Sequence, residues 1–207
     1  SSSTAGNTGN GQACRSKFAS GVNVAWFNYG ADVPSPAMDK FNKLYSDIFP
    51  VGGRIVRWWF HTNGAKTPTY DSNGLAAKIS DQSIADVKKI LDGAAAAGEA
   101  VVVSLWSFNM LKSDQVSAAI LQNNKDLLQK DANRQAYVDN VLIPLVTALK
   151  GHPRLYAWEA FNEPEGMIND GPNTTPWTGN NYVSIKEIQK CVIWFAAGVH
   201  SADPSAL

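Results

Sequence analysis

The chain has 207 residues, 44% of them hydrophobic and 17% charged, with 18 Lys and Arg balanced by 18 Asp and Glu. That apolar content supports a packed core, and a net charge of zero without a basic block excludes the electrostatic footprint that nucleic acid or an anionic membrane requires. Its longest apolar runs, near Val101 and Val141, fall far short of the roughly 18 residues of a membrane span.

Residues 1–12, built from Ser, Gly, Thr and Asn, read as a flexible linker ahead of a single domain over 13–207. Residues 21–26 form the first predicted strand. Pro34, Ser35 and Pro36 then turn the chain into a helix whose Met38, Phe41, Leu44, Tyr45 and Ile48 share a face. Gly52 and Gly53 introduce a second strand over 54–59. A polar loop over 61–81 leads to a helix with Ile84, Val87, Ile90 and Leu91 on one side, capped by Ser80 or Asp81 and ended by Gly98. Residues 100–105 are the third strand, a β-branched run suited to burial on both faces. Helical patterning fills 114–150, where Pro144 predicts a bend or a shifted start and Gly151 with Pro153 a stop. Residues 155–161 are the fourth strand, and a last helix brings Ile185, Ile188, Val192, Phe195 and Val199 together.

Strand and helix alternate four times, which predicts an α/β fold of parallel strands with right-handed crossovers. A small doubly wound sheet and half of an eight-stranded TIM barrel both fit that order. Four units, and a tail over 202–207 that reads as the lead into a fifth strand, point to the half-barrel. Cys14 and Cys191 leave their pairing open. Asn173-Thr174-Thr175 matches a glycosylation acceptor and marks an exposed loop. No His, Cys and carboxylate set has metal-ligand spacing, so neither metal nor cofactor is expected.

In parallel sheets function collects at the carboxyl ends of the strands. Those ends read Trp26-Phe27-Asn28-Tyr29, Trp58-Trp59-Phe60-His61, Trp106-Ser107-Phe108-Asn109 and Asn162-Glu163-Pro164-Glu165. Such polar and aromatic ends suit a neutral sugar. The first turn, Asn28-Tyr29-Gly30-Ala31-Asp32, has one glycine and an acid where a phosphate site needs a glycine-rich turn. Glu163 is the candidate catalytic carboxyl, because Pro164 excludes it from the helical region and presents it at the rim. Cleaving a glycosidic bond requires one acid to protonate the departing oxygen and a second carboxylate to attack or to activate water. Asn162 offers an amide to a sugar hydroxyl. Trp59, Trp106 and Trp26 are the candidate sugar platforms, and His61 is a candidate contact. Glu159 reads as a paired interior acid, and Arg57 as either an ion-pair partner or an orienting group.

The segment Trp158-Glu159-Ala160-Phe161-Asn162-Glu163-Pro164, following Gly151-His152-Pro153 and combined with Arg57, resembles the retaining glycoside hydrolases of the eight-stranded-barrel clan. Within that clan it is most similar to family 5, and there to the β-1,4-mannanases. The resemblance implies that the chain is the N-terminal half of a secreted, endo-acting barrel enzyme that hydrolyses β-mannan. It implies Glu163 as acid/base, Asn162 on the sugar 2-hydroxyl and Arg57 as the group orienting the nucleophile. The nucleophile it implies is a Glu closing a seventh strand, which this chain does not include. The expected partners are therefore a polysaccharide substrate and the remaining half of the barrel, and the isolated chain is expected to be inactive. An endo-β-1,4-glucanase of the same family, or a noncatalytic carbohydrate-binding half-barrel, are the alternatives.

Overall fold

A computed structural model describes residues 18–172 and 174–207. The proposed linker, Cys14 and the acceptor Asn173 lie outside those residues. Four strands, β1 (Gly21–Asn23), β2 (Ile55–Thr62), β3 (Ala100–Ser107) and β4 (Leu155–Asn162), form one parallel sheet in the order 1-2-3-4. A doubly wound sheet reverses its strand order at a switch point, and this one does not. Sequential parallel strands with helical crossovers are the arrangement of one side of a (β/α)8 barrel.

Alternation along each strand sorts the side chains into two layers. Val56, Trp58 and Phe60 on β2, with Val101, Val103 and Leu105 on β3, are buried toward the helices. Arg57, Ser104 and Glu159 meet on the opposite, inner face. The helical layer begins with α1 (Met38–Ile48), which buries Phe41, Tyr45 and Ile48. Next comes α2 (Asp81–Ala97), where Ser80 accepts the Ser83 N–H at 3.0 Å and Gly98, at φ 83°, closes the C-terminus. These bounds match the cap and stop signals in the sequence.

The third crossover contains α3 (Ala118–Gln129), α4 (Asp131–Tyr137), a π-helical turn (Val138–Leu142) and α5 (Ile143–Leu149). Pro144 explains the wide turn. It has no N–H to give the Asn140 carbonyl one helical turn earlier, so that oxygen accepts the Ile79 N–H instead, at 2.9 Å. The Asn140 side chain donates to the Ala76 carbonyl at 2.9 Å, so this one residue fastens the long loop after β2 onto the helical layer.

The last helix, α6 (Ile185–Ala202), packs through Ile188, Cys191, Phe195, Gly198 and Val199. The expected face is corrected here, because Ile185 and Val192 are 46% and 43% exposed. Small residues set the contact line. A Cβ at Gly198 would stand 2.8 Å from Val138 Cγ1, so glycine is what allows α6 to approach so closely. The tail lies along the free edge of β4, where the Trp158 N–H donates to the Leu207 carbonyl at 2.9 Å. Among the described residues no helix is long and apolar enough to cross a membrane.

Candidate active site

The carboxyl ends of β2, β3 and β4 bring one polar chain together on the inner face. The registers Trp59↔Ser104, Ser104↔Glu159 and Ser107↔Asn162 set these residues side by side across the three strands. Arg57 on β2 grips Glu159 on β4 in a fork, with Nε donating to Oε2 at 2.8 Å and Nη2 to Oε1. The same Nη2 donates to Asn162 Oδ1 at 3.0 Å, and Nη1 donates to Asn23 Oδ1 at 2.8 Å. Four of the five guanidinium hydrogens are thereby engaged, and one on Nη1 remains. Arg57 is thus the ion-pair partner of Glu159 and at the same time bonds Asn162 and Asn23.

The chain continues from Asn162 to Glu163, where Nδ2 donates to Oε2 at 3.1 Å. Two adjacent residues of a regular strand point to opposite faces, so this contact requires the strand to break between them. Glu163 makes the break, at φ 48° and ψ 54°, in the left-handed region. Pro164 does exclude Glu163 from the right-handed helical region, as expected, but the residue turns left-handed. For a residue with a Cβ this costs about 1–3 kcal/mol, a strain typical of functional positions. The result is an exposed carboxyl on a stiff turn, with Pro164 leading directly into a 3-10 helix (Pro164–Met167).

Of the expected platforms, Trp26 and Trp59 lie against each other, with centroids 5.2 Å apart and planes at 69°. The Arg57 guanidinium stands 5.4 Å from the Trp59 ring, which joins this aromatic wall to the polar chain. Tyr29 extends the wall, its ring 4.6 Å from Trp26. The Tyr29 hydroxyl donates to Gln115 Oε1, which also accepts from Asn109 Nδ2 at 3.0 Å. Burial first and the charge of Asp114 second push this hydroxyl up to about 12, so it stays a protonated donor.

Trp106 and His61 are corrections. Both are fully buried. The register of β2 against β3 shifts between Trp59 and Thr62, which turns the His61 ring outward to lie 4.7 Å from Trp106 in the helical layer. There His61 Nδ1 meets Thr67 Oγ1 at 2.9 Å and Nε2 meets the Tyr137 hydroxyl at 3.1 Å. Burial pushes His61 down to about 3, leaving a neutral imidazole that serves packing and has no surface for a sugar.

Sequence reading missed Ser104 and Ser107 as members of the polar chain. Their signal was present as hydroxyls interrupting an apolar strand. Gln115 carried no signal, because only the folded loop after β3 brings it to Tyr29. A half-exposed indole, Trp177, lies edge-on to Phe108 at 5.0 Å in the loop after β4.

The cluster holds two carboxylates with unequal freedom. Glu159 is held by the Arg57 fork and by Ser104 Oγ at 3.1 Å, so it is not available to attack an anomeric carbon. Glu163 is open to solvent and touched by one amide.

No protein-family model matches the chain. Among curated proteins, a mannan endo-1,4-beta-mannosidase from Mytilus edulis is 31% identical over 92% of this chain and 55% of its own length. Another mannan endo-1,4-beta-mannosidase, from Cryptopygus antarcticus, is 32% identical over 92% of this chain and 52% of its own length. Among solved structures, the beta-mannanase of Mytilus edulis superposes with a TM-score of 0.81 at 30% identity, over 92% of this chain and 57% of that one. The chain therefore spans about half the length of the curated relatives it matches.

Proposed function

We propose that this chain, a homologue of the endo-1,4-β-mannanases carrying half of their (β/α)8 barrel, supplies the acid/base side of a retaining, endo-acting hydrolase of β-mannan. The observation that carries the reading is the exposed, left-handed Glu163 bonded to Asn162 at the end of a parallel strand. Residues 13–207 then form the N-terminal half of a catalytic barrel behind the linker of residues 1–12. The later half closes the inner face and continues the edge of β4 on which Leu207 already lies.

Glu163 protonates the oxygen of the departing sugar, and the hydrogen-bond chain determines from which atom. Arginine offers only donors, so Asn162 must present Oδ1 to Arg57, and its Nδ2 therefore faces Glu163 Oε2. An oxygen that already accepts an amide N–H is poorly placed to carry the acid proton. The proton resides on Oε1, the oxygen open to the cleft. A carboxylate from the later half attacks the anomeric carbon as the bond to the leaving oxygen breaks, giving a covalent glycosyl-enzyme. Glu163, now ionised, takes a proton from the water that releases the sugar. The second Asn162 amide hydrogen, loosely held by Ser107 Oγ at 3.4 Å, is free for a sugar hydroxyl. The remaining Arg57 hydrogen is free to orient the nucleophile. Trp26, the partly exposed member of the aromatic wall, faces the pyranose rings, and the buried Trp59 backs it. Mannan rather than glucan is assigned from the activity of the mannosidase relatives, and an extracellular location is inferred from the polymeric substrate.

The test uses the complete polypeptide that contains this chain. It should hydrolyse β-mannan with retention at the anomeric carbon, and Glu163→Gln should lower the rate by about 10²- to 10⁴-fold. Saturable binding of manno-oligosaccharides without cleavage would replace this reading with that of a carbohydrate-binding barrel.

A further inference from the structure

The geometry points to Glu159 as a positioning residue that fixes the amide of Asn162 and, through it, the acid/base, a role that rests on the reading of Glu163 given above. Glu159 lies on the inner face of β4 and receives three hydrogen bonds. Two come from Arg57 and one from Ser104. A fork of two parallel bonds fixes the plane of a guanidinium as well as its location. With the plane fixed, the second hydrogen on Nη2 is aimed at Asn162 Oδ1, and Nη1 is aimed at Asn23.

The consequence falls on an amide whose two ends differ. Turned by half a rotation, Asn162 would set its NH2 against an Arg57 N–H and its carbonyl oxygen against Glu163 Oε2. Both contacts would be repulsive. Through Arg57 and then Asn162, Glu159 thus determines that Glu163 meets a donor. A plain structural ion pair would hold β2 to β4 and leave Asn162 indifferent, so the distinction lies in the amide.

Glu159→Gln breaks the fork, because an amide NH2 cannot accept from Arg57, and it leaves Glu163 and Asn162 unchanged in sequence. In the complete polypeptide the proposal expects kcat on mannan to fall by roughly tenfold or more. KM should stay within about threefold, since the affected step is proton delivery. The independent readout is hydrogen exchange of the Asn162 side-chain amide, followed by ¹⁵N NMR, which should become roughly tenfold faster in the variant. Unchanged amide exchange in folded Glu159→Gln overturns the proposal, whatever happens to the rate. Should that variant not fold, Ser104→Ala keeps the ion pair and removes one restraint, and it should speed the exchange about two- to threefold. No change there would also overturn it. A wild-type protein that leaves mannan intact defeats the reading of Glu163 as acid/base, and the amide measurement still decides whether Glu159 orders Asn162.

Discussion

The indole N–H of Trp58 donates to Asp32 Oδ2 at 3.0 Å, tying the outer face of β2 to the turn that follows β1. The Asp32 carboxylate also accepts the backbone N–H groups of Asn28, at 2.8 Å, and Phe27, at 3.1 Å. This buried acid therefore holds the segment that carries Trp26 and Tyr29. The same acid counted against a phosphate site when the sequence was read, and its structural role accounts for its presence there.

Asp32→Ala should accordingly leave three donors without their acceptor in a closed environment. The expected loss is roughly 2–4 kcal/mol of stability, read as a lower denaturant midpoint with an unchanged slope. A midpoint equal to that of the wild type would show that the turn holds itself.

His61 predicts an acid-sensitive fold. Burial penalises the charged form and pushes the folded imidazole down to about 3, from the 6.5 of an exposed histidine. The unfolded chain therefore binds the extra proton first. Stability is complete above the unfolded value and declines as pH falls from there toward 3. At pH 5 the decline amounts to about 2 kcal/mol. His61→Gln should flatten the dependence of Tm on pH between 7 and 5. An equal slope in both proteins would assign the acid sensitivity elsewhere.

Trp26→Ala removes the partly exposed member of the aromatic wall while Trp59 stays in place. Affinity for manno-oligosaccharides should fall by about 1 kcal/mol, roughly fivefold, as measured by calorimetry on the complete polypeptide. Identical affinity would mean that the wall is packing and not a sugar surface.

Gly166→Ala tests the loop beside Glu163. A Cβ at Gly166 would run into Trp177 Cε3 and stand 2.9 Å from Phe108 Cγ, so the Trp177 indole must move. Overpacking of this kind costs about 1–3 kcal/mol. The displacement should appear as a changed tryptophan emission spectrum, and an unaltered spectrum with full stability would show that the loop yields freely.

The alternation of strands and helices was legible in the residues themselves. Apolar runs of period two and helical faces of period 3.6 are local properties, as are the Ser80 cap and the Gly98 stop. The Asn162-Glu163-Pro164 segment was legible for a similar reason, because a proline constrains the residue before it through bonds that any fold must respect. Trp106 and His61 were misread because a place at a strand end was equated with the cleft, whereas which way a ring turns there depends on how neighbouring strands and helices pack, and both rings are buried in the helical layer. Ile185 and Val192 were misread because a face was drawn through large apolar residues, while the close approach was set by Cys191 and Gly198. The partnership of Arg57 with Glu159, 102 positions away, belonged wholly to the folded sheet. Local chemistry determined which residues were able to act, and packing across strands decided which of them meet, since hydrogen bonds and steric fit act over a few ångströms regardless of distance along the chain.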